Sequence, residues 1–151
     1  MVTLYNVISS DGFIARSDGS EDFIPNDIKL WQKFLGACLE HKTLIIGRRT
    51  YETIQEYDHS LIDSLEALPI QKIVVSGNKN FIPKAGYTSV SSPEEAVSLA
   101  PNALVSSGPT LNNYLLKHNL VEKIIQYKLS VSIGEGMKAF DENSLKITYL
   151  Q

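Results

Sequence analysis

The chain is best understood from one segment, Leu44-Ile45-Ile46-Gly47-Arg48-Arg49-Thr50-Tyr51-Glu52. The apolar run at its start contains β-branched isoleucines and predicts a short buried strand. The glycine ends this strand, and the residues that follow are predicted to begin a helix. A strand that leads directly into a helix leaves unpaired backbone N–H groups at the turn, where the helix dipole favours an anion.

Two arginines make this turn a candidate phosphate site. Arg48 and Arg49 are two of the three arginines in the chain, and a guanidinium group suits phosphate better than a lysine does. The alternative interpretation is a solvated arginine pair that covers a helix end.

The composition is that of a globular protein of ordinary apolar and charged content. Its 151 residues predict one domain, spanning 1–151, with a proper core. The net charge of −3 gives no indication of a nucleic-acid or anionic-membrane partner.

We find no signal peptide and no long apolar run, so we expect a cytoplasmic protein. The single cysteine, Cys38, is predicted to be a buried thiol. The histidines are scattered without other ligands at metal-binding spacing, which argues against a metal site.

Strands and helices are predicted to alternate along most of the chain. Strands are predicted at 1–8, 43–46, 72–76, 87–90, 103–106, 123–133 and 145–150. Helices are predicted from residue 25 onwards, at 50–56, in a segment that ends at 68, and after Ser92 and Ser107. The first helix is expected to have Asn26 as its N-cap. Its apolar face is predicted to comprise Ile28, Trp31, Leu35, Cys38 and Leu39.

This order of elements predicts an α/β fold with three layers. The central layer is expected to be a mixed, mostly parallel sheet, and helices are expected on both of its faces. No helix is predicted between the last two strands. We therefore expect these C-terminal strands to pair antiparallel at the sheet edge.

Three of the predicted strands end in small or phosphate-binding residues. These ends are Gly47-Arg48-Arg49-Thr50, Ser76-Gly77-Asn78 and Ser107-Gly108-Pro109-Thr110. In a mostly parallel sheet the carboxyl ends of the strands lie on one edge, where ligands bind. Glycine and serine allow a ligand close to the backbone, and the following helices offer free N–H groups. Together the three turns predict an extended, multiply phosphorylated ligand such as a dinucleotide. The first strand is not followed by G-x-G-x-x-G, so the usual Rossmann motif is excluded.

These motifs resemble those of the dihydrofolate reductase superfamily, which includes the reductase domain of riboflavin biosynthesis. The segment from Ile45 to Glu52 resembles the strand–G-R-x-T-[WFY]-E motif that holds the adenine-ribose phosphate in dihydrofolate reductases. Three further segments resemble riboflavin-type members: Ser10-Asp11-Gly12-Phe13-Ile14-Ala15, Ser107-Gly108-Pro109-Thr110-Leu111, and Val131-Ser132-Ile133-Gly134-Glu135-Gly136 followed by Phe140.

The resemblance implies that NADPH is the cofactor. Arg48 and Arg49 would lie near its 2′-phosphate and Thr50 on the pyrophosphate side. Ala15 and the loop to Asp22 would close over the nicotinamide. The full set of implied cofactor-binding residues is Ala15, Gly47, Arg48, Arg49, Thr50, Ser76, Gly77, Ser107, Gly108, Pro109, Thr110 and Leu111.

The resemblance also gives Asp27 a role. On the residues alone, Asp27 is a carboxylate favoured by the dipole at a helix start. In the family, the corresponding carboxylate binds the amino-pyrimidine edge of a pterin and assists protonation of the ring as it receives hydride. Asp27 is therefore the candidate catalytic residue. The implied apolar walls of the substrate pocket are Val7, Ile28, Trp31 and Ile54.

The chain departs from the family pattern at several positions. Glu21-Asp22 stands where dihydrofolate reductases have Pro-Trp. The arginine that grips the glutamate tail of folate falls near Ile70-Gln71, and the threonine that supports the carboxylate falls near Tyr127. Ser107 replaces the first glycine of the usual Gly-Gly turn.

Three functions are compatible with these motifs. The first is an NADPH-dependent reductase that converts dihydrofolate to tetrahydrofolate and so serves one-carbon metabolism. The second is the riboflavin-pathway reductase, which converts a ribosylamino-pyrimidine nucleotide to its ribitylamino form. The third is a non-catalytic dinucleotide-binding protein. In each case the expected partner is a small molecule, and the chain is a monomer or a homodimer.

Overall fold

The computed structural model describes residues 1–25 and 27–151. Nine strands are assigned in these ranges: β1 (Val2–Ile8), β2 (Phe13–Ala15), β3 (Thr43–Gly47), β4 (Gln71–Val75), β5 (Thr88–Val90), β6 (Leu104–Val105), β7 (Val121–Lys128), β8 (Met137–Lys138) and β9 (Ile147–Leu150). Five helices are assigned there: α1 (Ile28–His41), α2 (Arg48–Ile54), α3 (His59–Glu66), α4 (Pro93–Leu99) and α5 (Pro109–Lys117). None of these helices is both long and apolar enough to cross a bilayer.

The main sheet has seven strands in the order β5-β4-β3-β6-β1-β7-β9. Every neighbouring pair in it is parallel. The fold class predicted from the sequence, an α/β fold with a mostly parallel sheet, is confirmed.

The predicted orientation of the C-terminal strands is wrong. Strand β9 pairs parallel to β7, with Ile124 opposite Ile147 and Tyr127 opposite Leu150. The chain between them, 129–146, returns across the molecule before β9 begins, so a parallel pairing needs no helix. The antiparallel pair of the fold lies elsewhere, between β2 and β8.

Apolar side chains point alternately to the two faces along the strands, so the sheet has an apolar core on each face. In β3, Ile45 belongs to the cluster that includes Ala96, Leu111 and Leu115 from α4 and α5. Its neighbours Leu44 and Ile46 belong to the opposite cluster, which takes Phe34, Cys38, Tyr51, Ile54 and Leu65 from α1, α2 and α3. Successive side chains of a strand point to opposite faces, so these clusters place the helices in two layers around the sheet. Cys38 is buried and free, as predicted.

Strand β6 is much shorter than the strands beside it. It ends at Val105, opposite Leu4 of β1 and Ile45 of β3. Strand β1 runs on from Leu4 to Ile8, roughly 13 Å further at about 3.3 Å per residue. Beyond Val105, Ser106 and Ser107 continue between β1 and β3 through hydrogen bonds with Ile45, Gly47 and Asn6. We call this part of the carboxyl edge, where the pairing of β6 has ended, the β6 gap.

The start and the buried face of α1 differ from the sequence prediction. The N-cap is Asp27, whose side chain accepts a hydrogen bond from the Lys29 N–H at 2.9 Å; Asn26, the expected N-cap, lies outside the described residues. The buried side chains are Leu30, Phe34 and Cys38. Ile28 is 59% exposed and Leu39 45% exposed. The helix carries apolar residues on more than one side, so periodicity alone left its rotation undetermined.

The loops beside β1 are held together by one carboxylate. Asp11 accepts hydrogen bonds from the Ser9 hydroxyl at 2.6 Å, the Ser132 hydroxyl at 2.9 Å and the Gly134 N–H at 2.7 Å. These hydrogen bonds, chiefly the one from Ser9, hold the pKa of Asp11 well below its usual range. The contact joins two of the segments that resemble riboflavin-type reductases.

The same loops pack closely at Gly136. A Cβ on this glycine would collide with the Ala15 carbonyl oxygen and lie 3.1 Å from Phe13 Cβ. Glycine at this position therefore allows the segment before β8 to approach β2.

Candidate active site

Two adjoining cavities open at the carboxyl edge of the sheet. The larger, of about 990 Å³, is lined by the three glycine- and serine-containing turns; we call it the arginine cleft. The smaller, of about 390 Å³, is lined by Tyr5, Trp31, Phe34 and Tyr57 among others; we call it the aromatic cavity. Both lie at the β6 gap, because Ser107 and Gly108, which follow β6, line each of them.

The structure brings the predicted cofactor-binding residues together. All of them line the arginine cleft: Ala15, Gly47, Arg48, Arg49, Thr50, Ser76, Gly77, Ser107, Gly108, Pro109, Thr110 and Leu111. They come from four separate parts of the chain. Their meeting in one cleft follows from the parallel order of β3, β4 and β6, whose carboxyl ends share an edge.

Two helices begin at this cleft without a side-chain cap. Gly47 is the N-cap of α2 and Gly108 is the N-cap of α5, and neither provides a capping hydrogen bond. Pro109 occupies the first turn of α5, where its missing N–H costs nothing. The next residues, Thr110 and Leu111, line the cleft, so their backbone N–H groups are suitable donors for a phosphate.

The turns after β3 and β6 touch each other through Gly47 and Ser107. The Gly47 N–H donates to the Ser107 hydroxyl at 3.1 Å. A Cβ on Gly47 would lie only 2.9 Å from that hydroxyl oxygen. The Ser107 carbonyl in turn accepts hydrogen bonds from the side-chain amides of Asn6 at 2.9 Å and Asn112 at 3.2 Å, both buried. Ser107 therefore links β1, β3 and α5 at the point where the two cavities meet.

The two arginines of the cleft differ in their surroundings. Arg48 Nε lies 3.5 Å from a Glu52 carboxylate oxygen, one helical turn later, and both side chains are largely exposed. An exposed pair of this kind contributes little to stability. For Arg49 no ion pair is found in the part of the chain that the structure describes. Both guanidinium groups are placed where a phosphate in the cleft could bind them.

The predicted substrate residues divide between the cavity and the surface. Asp27, Val7, Trp31 and Ile54 line the aromatic cavity. Ile28 does not line it and is exposed. The rotation of α1 explains the difference, since it turns Trp31 and Leu30 toward the cavity and Ile28 toward solvent.

Trp31 is held rigidly in the cavity wall. Its indole Nε1–H donates to the Ser64 hydroxyl at 2.8 Å, and that hydroxyl donates to the Leu61 carbonyl at 2.6 Å. The ring lies 5.2 Å from the ring of Phe34 and 5.8 Å from that of Tyr57, in tilted and edge-on arrangements that aromatic pairs favour. A flat ligand would meet a fixed aromatic surface here.

Asp27 lies at the mouth of the aromatic cavity. It is exposed, and its carboxylate caps α1 through the Lys29 N–H. The capping bond uses Oδ1, and a carboxylate has further lone pairs for a ligand donor.

Sequence reasoning missed Glu21 as a functional candidate. Glu21 is half-buried and lines both cavities. Burial raises its pKa above the ordinary value, and the Tyr57 hydroxyl, which donates to it over 3.5 Å, partly opposes that rise. The only sequence signal was its place at the family's Pro-Trp position. Nothing in the local pattern predicts that a glutamate in a polar loop becomes part of a cavity wall.

Tyr5 and Tyr57 add phenols to the aromatic cavity. Burial raises the pKa of Tyr5 to about 12, and burial together with the adjacent Glu21 raises the pKa of Tyr57 further still. Both phenols therefore stay protonated at neutral pH. The Tyr57 hydroxyl donates to Glu21, whereas no hydrogen-bond partner is found for the Tyr5 hydroxyl among the described residues. Among the described residues, no cluster of three or more histidine, cysteine or acidic side chains could hold a metal ion.

Two solved structures, one named for riboflavin biosynthesis and one a dihydrofolate reductase, have a similar fold. A crystal structure of a protein from Shewanella sp. PV-4, named for riboflavin biosynthesis, superposes with a TM-score of 0.69 at 19% identity, covering 93% of this chain and 83% of that one. Dihydrofolate reductase from Enterococcus faecalis, complexed with NADP(H) and RAB-propyl, superposes with a TM-score of 0.65 at 17% identity, covering 92% of this chain and 76% of that one. The chain has the dihydrofolate reductase-like fold. This confirms the resemblance found in the motifs as far as the fold is concerned. No family model and no curated protein sequence matches the chain.

Proposed function

We propose that this protein is an NADPH-dependent reductase that transfers hydride to a C=N bond of a pterin-type ring. The observation that carries the proposal is the meeting of the two cavities at Ser107 and Gly108. An arginine-lined cleft on one side and an aromatic cavity on the other support binding of a dinucleotide and a flat ring end to end.

The arginine cleft fits the cofactor in chemistry and shape. Uncapped helix starts at Gly47 and Gly108 suit the pyrophosphate, and Arg48 or Arg49 suits a 2′-phosphate. The close contact between Gly47 and Ser107 leaves no room for a side chain at the turn. When bound, NADPH supplies the hydride. The related fold of an NADP(H)-complexed dihydrofolate reductase supports this cofactor.

The aromatic cavity fits the acceptor ring. Trp31 and Ile54 provide apolar surface for the ring faces, and Asp27 provides a carboxylate for its amino edge. Glu21 is a second carboxyl group in the cavity wall, and burial raises its pKa above the ordinary value. Asp27 is accordingly proposed as the carboxylate that anchors the substrate and assists its protonation, and Glu21 lies where the two cavities meet.

A riboflavin-type reductase is the second candidate. The Asp11 contact with Ser132 and Gly134 joins two motifs of that type into one structural unit. The Shewanella protein of similar fold is named for the same pathway. Against this candidate, no lysine, arginine or histidine among the described residues lines the aromatic cavity to receive the substrate phosphate.

The test is the oxidation of NADPH, followed as the loss of its absorbance. Purified protein is given 6-methyl-7,8-dihydropterin and dihydrofolate first and the phosphorylated aminopyrimidine second, with NADH as the control cofactor. Turnover with a pterin supports the proposal, and turnover with only the aminopyrimidine nucleotide replaces it by the second candidate. Binding of NADPH without any turnover would favour a non-catalytic dinucleotide-binding protein, and absence of NADPH binding would refute all three.

A further inference from the structure

The charges around the aromatic cavity are of one sign. Four carboxylates line it: Glu21, Asp27, Glu56 and Asp58. Within residues 1–25 and 27–151, no lysine, arginine or histidine lines it. A cavity for an anionic substrate normally offers at least one cation, because desolvating a carboxylate or phosphate without a partner is costly.

Three cationic residues, in the loop before Glu21 and on α1, do not line the cavity. Arg16, in the loop that leads to Glu21, forms an ion pair with Asp22 and lies 5.8 Å above the ring of Phe23. Lys33 of α1 lies 5.9 Å above the ring of Tyr127. Lys29 follows Asp27 without lining the cavity. Among the described residues, the wall of the cavity therefore carries carboxylates and no cationic side chain.

The segment before β4, which the family resemblance assigns to the folate tail, contributes no cation to the cavity wall. It falls near Ile70 and Gln71, and neither residue lines the cavity. Ile70 instead packs against the apolar cluster of α1–α3.

The four carboxylates differ in exposure, and we call the three exposed ones the rim of the cavity. Asp27, Glu56 and Asp58 are exposed, whereas Glu21 is half-buried where the two cavities meet. The rim therefore repels an anionic group at the entrance, and Glu21 meets the part of a ligand that enters furthest. A ring with amino or N–H groups satisfies these oxygens, since ionised carboxylates only accept hydrogen bonds.

We infer that the aromatic cavity takes a neutral or cationic nitrogen heterocycle without a carboxylate or phosphate tail. This inference rests on the proposed function and narrows it, because dihydrofolate carries a glutamate tail and the aminopyrimidine nucleotide carries a phosphate. The volume of about 390 Å³ lies in the range of sites for small ligands and suits a single bicyclic ring.

The experiment compares two ligands that share the reducible ring. They are 6-methyl-7,8-dihydropterin, which has no charged tail, and 7,8-dihydrofolate. Trp31 is the single tryptophan of the chain and lines the cavity, so its fluorescence reports binding there. Titrations are run with saturating NADP⁺, which prevents turnover, and checked by calorimetry.

The tail-less dihydropterin is expected to bind at least about tenfold tighter than dihydrofolate at low salt. The difference should narrow as ionic strength rises, because salt screens the repulsion between the rim and the glutamate tail. Equal or tighter binding of dihydrofolate, weaker dihydrofolate binding at high salt, or no binding of either ring would overturn the inference.

Two charge variants test whether the rim carboxylates are what weakens dihydrofolate binding. Glu56→Lys reverses a rim charge, whereas Glu142→Lys makes the same change of net charge on an exposed loop that lines neither cavity. Glu56→Lys should tighten dihydrofolate binding by about threefold to fivefold relative to binding of the dihydropterin. Equal effects of the two variants would show that overall charge, not the rim, controls binding, and would contradict the inference.

Binding and turnover are measured separately, so failure of the inference can be distinguished from failure of the proposed function. Oxidation of NADPH by both rings with the lower kcat/KM for dihydrofolate supports both the inference and the proposed function. Discrimination in binding without any oxidation supports the inference for the cavity and refutes the reductase. Oxidation with an equal or higher kcat/KM for dihydrofolate supports the reductase and refutes the inference.

Discussion

The arginine cleft and the aromatic cavity share a border and differ in almost everything else. The cleft is formed by turns that directly follow strands, and Arg48 and Arg49 stand at its wall. The cavity is formed largely by loop residues and one face of α1, and all its charged groups among the described residues are carboxylates. The chain has a net charge of −3. Among the described residues, the cations that line the two cavities, Arg48 and Arg49, lie in the arginine cleft, which is the cavity proposed for phosphates. The cleft thus carries both arginines and carboxylates, whereas the cavity carries carboxylates alone among the described residues. This difference is the basis of the ligand classes proposed for the two halves.

The largest effect is expected from Asp27→Asn. Loss of a positioned acid or base usually costs a hundredfold or more, so we expect kcat/KM for a pterin to fall by at least about 10²-fold. Asparagine is as good an N-cap as aspartate, so the start of α1 should be preserved. Steady-state kinetics combined with a thermal melt would separate the loss of activity from a loss of stability. If Asp27→Asn keeps full turnover while Glu21→Gln loses it, the role proposed for Asp27 belongs to Glu21.

The next effect concerns the loops that border the arginine cleft. Gly136→Ala places a Cβ against the Ala15 carbonyl and Phe13, and overpacking of this kind costs about 1–3 kcal/mol. Chemical denaturation should show this loss of unfolding free energy. Gly36→Ala is the control: it has no atom within 4 Å of the added Cβ and lies within α1, where alanine stabilises by about 0.5–1 kcal/mol. Similar stability of the two variants would mean that the approach of β2 and β8 is less close than described.

Arg48→Ala tests the cleft against the cavity. A hydrogen bond to a charged group contributes about 1.5–3 kcal/mol, so NADPH affinity should fall about tenfold or more. Binding of NADH and of the heterocycle should change little, since neither involves a 2′-phosphate. Direct titration with both cofactors measures the ratio, with Arg49→Ala as a parallel variant. Glu52→Gln removes the ion-pair partner of Arg48 and should leave NADPH binding unchanged or slightly tighter. Equal weakening of NADPH and NADH would exclude a contact with the 2′-phosphate.

The smallest effect is the pH dependence of stability at Glu21. Burial raises the pKa of Glu21 in the folded protein, so the folded state binds more protons than the unfolded chain between the two pKa values. The unfolding free energy therefore falls as the pH rises through this window. Glu21→Gln should remove this loss and be more stable than the parent at neutral pH by less than about 1 kcal/mol, with no advantage below about pH 4. Melting temperatures of the parent and of Glu21→Gln across the pH range would measure this stability difference, with Glu142→Gln as the control. A stability gain of Glu21→Gln that grows toward low pH would contradict the predicted direction of the effect.

The sequence predicted the arginine cleft far better than the aromatic cavity, for a physical reason. Each part of the cleft is a contiguous motif in which a strand, a small residue and a helix start follow one another, as at Gly47 and Ser107. Once the strands are parallel, their ends have to meet. The cavity instead depends on Glu21 and Tyr57, which come from loops with no periodic signal. Their approach is set by packing between distant segments.

Two errors in the fold have related causes. The face of α1 was mispredicted because Ile28 and Leu39 are as apolar as Leu30 and Phe34, and only contact with the sheet selects between them. The predicted antiparallel direction of β9 is wrong because the absence of a helix between two strands does not require a hairpin. The long irregular segment 129–146 provides the parallel connection that a helix usually provides.

The brevity of β6 has a consequence for how this architecture could be modified. Because β6 ends early, the residues that follow it, Ser107 and Gly108, form the border of both cavities. Part of the wall of the aromatic cavity comes from loops outside the sheet, among them those around Glu21 and Tyr57. Exchange of those loops would alter the aromatic cavity and leave the strand-end turns of the arginine cleft in place.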